Sequence, residues 1–244
     1  MEPTSSMLGE IRATRELQIR TVIEQAPWFE GGRPETLAAL LDHATARQLR
    51  RGDSLSRSGE RIQQLTLIID GVLEVSFTAR SGRRHITGYA VQGELFNLVP
   101  FMDGQGAGRD TVALTDTLIL QLSRPLVTTL MAEDPALSAG ITLLLCQRSR
   151  HTYDALTDTA LLSLRQRLVR MLLHLGSQVG RPRADGIHLL PKMSQTQLAE
   201  YVGGSRTKIN QELKQLEQEE IIKVAYSKIV IRDEARLMAI AIDR

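Results

Sequence analysis

The stretch SQTQLAEYVGGSRTKINQELKQLEQEEII, residues 194–222, decides the fold of the C-terminal part of the chain. Ser194 is a suitable N-cap for a helix over Gln195–Val202, whose inward positions are apolar. The pair Gly203-Gly204 then breaks the helix, because glycine accepts the left-handed backbone conformation that a tight turn needs. Ser205 can cap a second helix that runs through Glu217. The pattern predicts a helix-turn-helix motif over about residues 195–214.

The second helix of this motif has a polar and basic outer face. Ile209, Leu213 and Leu216 form its apolar stripe, and at about 100° per residue Thr207 and Gln211 point away from that stripe. In a helix-turn-helix such residues enter the major groove of double-stranded DNA. An ordinary solvated helical hairpin is the alternative. The predicted DNA-binding residues are Ser194, Ser205, Arg206, Thr207, Lys208, Gln211, Lys214 and Lys228.

The residues that follow favour DNA binding over a solvated hairpin. IIKVAYSKIVIRD, residues 221–233, alternates and turns as a β-hairpin does, and its Lys223 and Lys228 can reach phosphates. The distribution of charge along the chain also favours DNA binding. Residues 1–159 hold 16 Lys and Arg against 19 Asp and Glu, a net −3, whereas residues 160–244 hold 14 against 9, a net +5. A winged helix-turn-helix with a basic surface is therefore predicted.

Upstream of this motif the sequence has the features of a β domain followed by helices. Short apolar runs from Arg47 to Ser123 alternate with glycines at 59, 71, 82, 93 and 104, which predicts hairpins closing into a sandwich or barrel. Helices are predicted over 11–26, 34–46 and 159–178, and VGRPRADG, residues 179–186, as a loop. A long helix begins at Pro135 and can pack on its own domain or pair with its twin. Its predicted dimer-interface residues, at helical spacing, are Leu137, Ile141, Leu144, Arg148 and His151.

Composition excludes several classes of protein. The chain has 244 residues, of which 42% are hydrophobic, and a single cysteine, Cys146, which we expect to be a packing residue. One cysteine allows no internal disulfide, cysteine-ligated zinc or iron–sulfur cluster within the chain. The five histidines stand far apart, so neither a metal site nor catalytic residues are predicted. The longest apolar stretch, at 141–146, is far short of the ~20 residues that cross a bilayer, and no secretion signal is recognisable. A cytoplasmic protein is expected.

Motifs along nearly the whole chain resemble the cAMP receptor protein/FNR (CRP/FNR) family of bacterial transcription regulators. RRGDSLSRSGE, IIDGVLEVSF, GELFNLVPFMDG, ALTDTLILQLSR and LLSLRQRLVRMLL precede the helix-turn-helix in the family's order and spacing. The resemblance implies an α+β protein with N-terminal helices and an effector-sensing, cyclic-nucleotide-binding-like jelly-roll β-barrel over 1–134, a dimerisation helix over 135–158 and a winged helix-turn-helix domain over 159–244. It also implies a homodimer, RNA polymerase as a partner and a small-molecule effector.

The family's cyclic-nucleotide contacts are not reproduced. In the family pattern GDFFGELALLDG the Gly-Glu pair at the fifth and sixth positions binds the ribose, but in GELFNLVPFMDG, residues 93–104, those positions hold Asn97-Leu98. The Arg-Ser pair that clamps the phosphate is replaced by Ala107-Gly108, with Arg109 displaced by two residues. We therefore expect regulation that does not depend on cAMP and leave the effector unidentified. The candidate effector pocket comprises Phe96, Asn97, Leu98, Arg109, Asp110 and Thr111.

The sequence leaves two alternatives to a DNA-binding regulator. One is a module that binds cyclic nucleotides or other small molecules and whose helix-turn-helix no longer binds DNA. The other is a cupin-type metalloenzyme, which needs several histidines inside the barrel, whereas the strands supply only His85. By resemblance, the base-reading positions are Arg206, Thr207 and Gln211.

Overall fold

The computed structural model describes residues 5–190, 192–225 and 228–242, which contain helices and two regions of β-structure. The α-helices are α1 Ser5–Glu24, α2 Pro34–His43, α3 Leu98–Asp103, α4 Arg124–Glu133, α5 Pro135–Leu161, α6 Leu164–Val179, α7 Gln195–Val202, α8 Arg206–Gln218 and α9 Glu234–Ile242. The strands are β1 Thr45–Leu49, β2 Ser54–Ser56, β3 Gln64–Asp70, β4 Leu73–Thr78, β5 Arg84–Ala90, β6 Leu95–Phe96, β7 Asp110–Ala113, β8 Thr117–Ser123, β9 Gly180–Arg183, β10 Gly186–Leu189, β11 Ile222–Ala225 and β12 Lys228–Ile231.

The N-terminal β-structure consists of two four-stranded sheets, ordered β1-β8-β3-β6 and β2-β7-β4-β5. Neighbouring strands such as β3 and β8 run antiparallel, with Leu65 opposite Leu122 and Leu67 opposite Leu120. All five regularly spaced glycines have positive φ, between 73° and 94°. Gly71 also lies so close to Thr117 that a Cβ atom would come within 2.5 Å of the threonine hydroxyl. The regular spacing thus marks the turns of a jelly-roll-like β domain, as predicted.

The main hydrophobic core lies on one face of the first sheet. Leu65, Leu67 and Ile69 of β3 pack there with Leu118, Leu120 and Leu122 of β8. Helices α1, α2, α4 and the start of α5 cover this face, together with the 3-10 turn Pro27–Phe29. Such alternation of apolar residues buries one side of each strand.

The junction between α4 and α5 is tied to the start of α2. Asp134 is almost fully buried, with 1% of its surface exposed. Its carboxylate accepts hydrogen bonds from the Arg33 and Ala136 backbone N–H groups and from the Thr36 hydroxyl. One buried charge therefore joins the start of α2 to the start of α5.

Helix α6 begins with a capping box. The Ser163 hydroxyl accepts from the Gln166 N–H, and the Gln166 side chain accepts from the Ser163 N–H. This cap ends the long helix α5 at Leu161, so α5 runs three residues beyond the predicted boundary at residue 158. Leu168, Leu172 and Leu175 form the buried stripe of α6.

The C-terminal region contains more β-structure than we predicted. Residues 179–186 were expected to be a loop, but Gly180–Arg183 forms β9 and pairs with β10. The sheet order is β11-β12-β10-β9, in which β10 pairs with the wing strand β12. The loop prediction was wrong because arginine, proline and glycine, which are typical of loops, dominate the segment. The hairpin of β9 and β10 is held by β12, which lies more than 40 residues later in the chain. Tyr226 and Ser227, at the predicted tip of the wing, lie outside the described residues.

Contacts divide the chain into two units. One includes the chain up to Glu74 with Tyr89–Arg150, and the other comprises Val75–Gly88 with the chain from His151 onwards. Among the described helices none is by itself long and apolar enough to cross a membrane; α4 and α5 satisfy the requirement only together, and they are bent by 113°. The described residues contain no cluster of three or more side chains that could hold a metal ion.

Candidate nucleic-acid interface

The helix-turn-helix is formed by α7 and α8 as the sequence predicts. Ser194 caps α7 in a second capping box with Gln197, and the Ser205 hydroxyl accepts from the Lys208 N–H at the start of α8. Gly203 ends α7 in the left-handed conformation, with φ 70°. Leu198 and Val202 of α7 are buried, as are the three apolar stripe residues of α8.

The predicted DNA-facing residues all lie at the surface of the protein. Seven of them lie on α8 or cap one of the two helices, and the eighth begins strand β12. All of Ser194, Ser205, Arg206, Thr207, Lys208, Gln211, Lys214 and Lys228 are exposed to solvent. The geometry therefore brings the predicted readers of α8 to one accessible surface.

The acidic residues of α8 and its C-cap Glu219 are engaged by internal partners. Arg165 of α6 lies 2.6 Å from a Glu219 oxygen and 3.7 Å from a Glu212 oxygen. Glu217 accepts a hydrogen bond from the Val224 N–H of the wing at 2.8 Å. These contacts hold the carboxylates against α6 and the wing. The opposite surface of α8 carries Arg206, Lys208 and Lys214 and is therefore basic.

Glu200 on α7 also has internal partners. It forms an ion pair with Arg84 at 3.2 Å, and its backbone carbonyl lies 2.6 Å from the His85 ring nitrogen. Arg84 and His85 belong to the hairpin β4–β5, whose residues 75–88 group with this unit. A further acidic group of the helix-turn-helix is therefore paired with a basic side chain.

Two basic residues near the wing were missed from the sequence. Arg181 and Arg183 lie exposed on β9, opposite His188 and Gly186 of β10. Their alternate positions on a strand place both on one face of the sheet. The signal was present as two arginines two residues apart, but it has this meaning only if the segment is a strand.

One residue of the recognition helix was also missed. Asn210 is half-buried, and its Oδ1 accepts a hydrogen bond from the Gln195 side chain at 2.8 Å. The sequence-based selection took residues opposite the apolar stripe and omitted this flank. Its partner is the first residue of α7, so only the folded motif reveals the pair.

The candidate effector-pocket residues do not form one group. Asn97 has φ 61° and donates to the Ser56 hydroxyl, which in turn donates to the Thr111 hydroxyl at 3.4 Å. Leu98 belongs instead to the main hydrophobic core, and Phe96 pairs with Thr66 in β6 and β3. Asp110 holds the Ser58 N–H at 2.9 Å, and Arg109 is exposed.

Ala107-Gly108, at the position of the family's phosphate-binding Arg-Ser pair, lies in a loop that is held by backbone hydrogen bonds. Ala107 is buried, with 3% of its surface exposed. Its N–H donates to the Glu60 carbonyl at 2.8 Å and its own carbonyl accepts from the Gly59 N–H at 2.6 Å. A Cβ on the adjacent Gly106 would meet the Gly59 carbonyl oxygen at 2.6 Å. This loop is closed against its neighbour.

The predicted dimer-interface residues of α5 mostly contact their own subunit. Leu137 and Ile141 are buried in the main core, and Leu144 packs against it. Arg148 donates to the Leu95 carbonyl; burial lowers its pKa below the ordinary arginine value, which the charge of Glu94 partly offsets. Of the five only His151 is exposed. The helical spacing of three and four residues is thus present, but the side of α5 that carries these residues mostly faces the hydrophobic core of its own subunit.

The opposite face of α5 has its own regular pattern. Leu143, Cys146, Arg150, Tyr153 and Thr157 are spaced by three and four residues, and all are exposed. Leu143 and Tyr153 expose 57% and 68% of their surfaces, although both are large and apolar. Cys146, which we expected to be a packing residue, is likewise exposed. This face, which we call the α5 seam, is unpartnered among the described residues.

Comparison with known proteins covers both parts of the chain. Residues 46–134 match the cyclic nucleotide-binding domain family, and residues 166–240 match the Crp-like helix-turn-helix domain family. A relative, the CRP-like cAMP-activated global transcriptional regulator of Mycobacterium tuberculosis, is 23% identical over 88% of this chain and 96% of its own length. The cAMP-activated global transcriptional regulator CRP of Escherichia coli is 24% identical over 82% of this chain and 97% of its own.

Solved structures agree on the fold. FixK2 from Bradyrhizobium japonicum superposes with a TM-score of 0.73 at 18% identity, covering 82% of this chain and 98% of that one. A CRP/FNR-family regulator from Thermus thermophilus gives 0.71 at 21% identity, covering 82% and 100%.

Proposed function

The chain belongs to the CRP/FNR family of DNA-binding transcription regulators, and on that premise we propose that it acts as a homodimer that reads an inverted-repeat operator. In a dimeric helix-turn-helix protein, each recognition helix enters the major groove at one half-site. The observation that carries the proposal is the exposed basic surface of α8, whose acidic residues are engaged by Arg165 and Val224.

The readers differ in chemistry and therefore in the bases they recognise. Arg206 can donate two hydrogen bonds to guanine O6 and N7. Thr207 can contact a thymine methyl group, and Gln211 matches the N6/N7 edge of adenine. We expect an operator with one guanine per half-site recognised by Arg206, and departures at neighbouring positions from the operator that the cAMP receptor protein prefers.

Other exposed groups are placed to hold phosphates. Ser194 and Ser205 accept backbone hydrogen bonds as caps, so their hydroxyl protons are available to phosphate oxygens. Lys208, Lys214 and Lys228 add positive charge, and Arg181 and Arg183 extend it along β9. Such contacts position the protein without reading sequence.

The α5 seam supports dimerisation through a pair of long helices. Its exposed residues repeat at intervals of three and four, the spacing of a two-stranded coiled coil. Two copies related by a two-fold axis would bury Leu143 and Tyr153 of each chain against the other. Closure of this seam sets the distance between the two recognition helices.

We propose that the effector is not a cyclic nucleotide, although the relatives above are named for activation by cAMP. Leu98 lies in the hydrophobic core and supplies no acceptor for a ribose hydroxyl, and Ala107 is held by Glu60 and Gly59. The class of the effector is left unidentified. RNA polymerase as a partner, a cytoplasmic location and the lack of an enzymatic activity follow from this regulatory role.

A binding assay on DNA tests the proposal. In vitro selection from random DNA should yield an inverted repeat, and the affinity for it should fall steeply with salt, because phosphate contacts release counterions. A protein that binds no DNA at low salt would be a module whose helix-turn-helix has lost this role. Binding that selects no sequence would leave the proposed operator without support.

A further inference from the structure

A cleft of about 370 Å³ lies between the start of α7, one side of α8 and the strands of the wing. Its floor is apolar. Val224 of β11 and Ile229 of β12 are directly opposite each other, so their side chains lie on the same face of the sheet. Leu213 of α8 and Met193, which precedes α7, complete the floor. Met193, Leu213 and Ile229 expose only 5%, 2% and 3% of their surfaces, so the floor is part of the packed interior of the domain.

The rim of the cleft is polar and carries one full charge. Ser194 and Thr196 lie on the rim at the start of α7, and Arg206 lies on it at the start of α8. Residues seven apart on a helix point in nearly the same direction, so Arg206 lies two turns from Leu213 on the side of α8 that faces the cleft. The cation and the apolar floor therefore belong to one site.

The charge of Arg206 is not compensated within this cleft. Among the described residues that line the cleft none is Asp or Glu, and none of the described ion pairs involves Arg206. The Glu217 carboxylate accepts from the Val224 N–H but does not line the cleft. A guanidinium beside an apolar floor is complementary to an anion with an apolar body. The volume lies within the range of small-molecule sites, about 300–1,000 Å³.

We propose that this cleft binds a small amphipathic carboxylate, whose head group pairs with Arg206 and whose apolar chain lies against Leu213 and Ile229. The site belongs to the helix-turn-helix unit and is separate from the candidate effector pocket of the β domain. Because Arg206 is also the predicted guanine reader, the carboxylate and DNA compete for the same guanidinium. This competition rests on the proposed function, whereas binding of the carboxylate requires no DNA.

A titration of the full chain with octanoate tests the site in the absence of DNA. With methyl-¹³C-methionine, the NMR signal of Met193 should shift with a dissociation constant of about 0.1–1 mM, whereas that of Met238 on α9 should stay unchanged. Hexanoate should bind about 5- to 15-fold more weakly, because two fewer methylene groups are buried. Octylamine, which has the same chain and the opposite charge, should leave the Met193 signal unchanged.

Variants at the rim test the role of charge. Arg206→Gln should weaken octanoate binding at least about 10-fold, because a charge-assisted contact is lost. Lys208→Gln removes the same charge from an exposed part of α8 outside the cleft and should leave octanoate binding unchanged. Thr196→Glu places a carboxylate on the rim in the first turn of α7, where a negative charge favours the helix, so the protein stays folded but binds octanoate about 10-fold more weakly. The matched neutral variant Thr196→Gln should bind octanoate as the wild type does.

Competition with DNA completes the experiment. Octanoate at ten times its dissociation constant should weaken operator binding about 10-fold. An unchanged Met193 signal, an equal shift with octylamine, or full affinity for octanoate in Arg206→Gln would overturn the site while operator binding persists. Octanoate binding that leaves operator affinity unchanged would overturn the competition. A wild-type protein that selects no operator would instead contradict the proposed function, and because the octanoate titration contains no DNA, the two failures are distinguishable.

Discussion

Asp134 and Thr36 are 98 residues apart in the chain and are joined by a hydrogen bond of 2.6 Å. Burial by itself would raise the pKa of Asp134, but the hydrogen bonds from Arg33, Thr36, Leu137 and Ala136 together hold it below the ordinary aspartate value of 3.8. The ionised carboxylate thus fastens the N-terminal helices to the junction between α4 and α5.

Replacement of this carboxylate should give a pH-dependent loss of stability. Asp134→Asn should lower the free energy of unfolding by about 2–4 kcal/mol at pH 7, because charge-assisted hydrogen bonds are lost in a buried site. Because the pKa of Asp134 is lower in the folded than in the unfolded state, its ionisation stabilises the folded protein at pH values above the unfolded-state pKa. This stabilisation is lost as the pH falls through the folded-state pKa. Urea unfolding should therefore show the gap between wild type and variant shrinking below about pH 4. The control is Asp70→Asn, at an exposed strand end, which should cost little; a gap independent of pH would contradict the prediction.

Arg206 and Lys228 should differ in the kind of DNA affinity they supply. Arg206→Ala should cost about 1–3 kcal/mol on the selected operator and relax the choice of guanine at one position per half-site. Lys228→Ala should weaken binding to all sequences alike and reduce the salt slope by about one. Competition binding on operator variants at several salt concentrations measures both. A selected motif that is unchanged by Gln211→Arg would show that Gln211 contacts only phosphate.

The α5 seam should govern the oligomeric state. Leu143→Glu with Tyr153→Glu places charges at two exposed seam positions, so sedimentation should show monomers where the wild type is a dimer at micromolar concentration. Operator affinity should fall with it. Met238→Glu replaces a comparably exposed apolar residue on α9 and should leave the dimer intact. A wild-type protein that sediments as a monomer would contradict the proposal that the α5 seam is a dimer interface.

Ile141 shows why the seam, and not the core face, must be tested. Its side chain is 2% exposed within its own subunit. A charge there would remain unpaired in the hydrophobic core and unfold the domain, and loss of the dimer would then say nothing about the interface.

Cyclic nucleotides should bind weakly or not at all. Isothermal titration with cAMP and with cGMP should give no heat of binding below about millimolar concentration, since the ribose and phosphate partners, each worth roughly 1.5–3 kcal/mol, are replaced. The E. coli relative serves as the positive control. A micromolar dissociation constant would mean that the segment 93–104 is aligned wrongly.

The elements predicted best from the sequence are those determined locally. The start of α7 after Ser194 and the turn at Gly203 depend on capping and backbone conformation within a few residues. The interface residues of α5 could not be assigned in the same way, because a 3–4 repeat of apolar residues has the same appearance whether it faces its own core or a second copy. Leu143 and Ile141 differ only in which side of the helix the β domain covers.

Features that depend on distant pairing were missed for the same physical reason. Strand β10 is held by β12, with Ile187 opposite Ile231, and nothing near residue 187 indicates that partner. The hydrogen bond between Gln195 and Asn210 was likewise not predicted, because it exists only once the two helices have packed.

The capping boxes at Ser163 and Ser194 both use glutamine, where glutamate is the common alternative. An amide does not titrate, so these helix starts keep the same charge in acid and in alkali. At Ser194 the consequence is electrostatic: no carboxylate opposes the partial positive charge at the beginning of α7. An approaching phosphate therefore meets an uncompensated dipole, and this part of the attraction for DNA stays constant across the pH range in which the protein is folded.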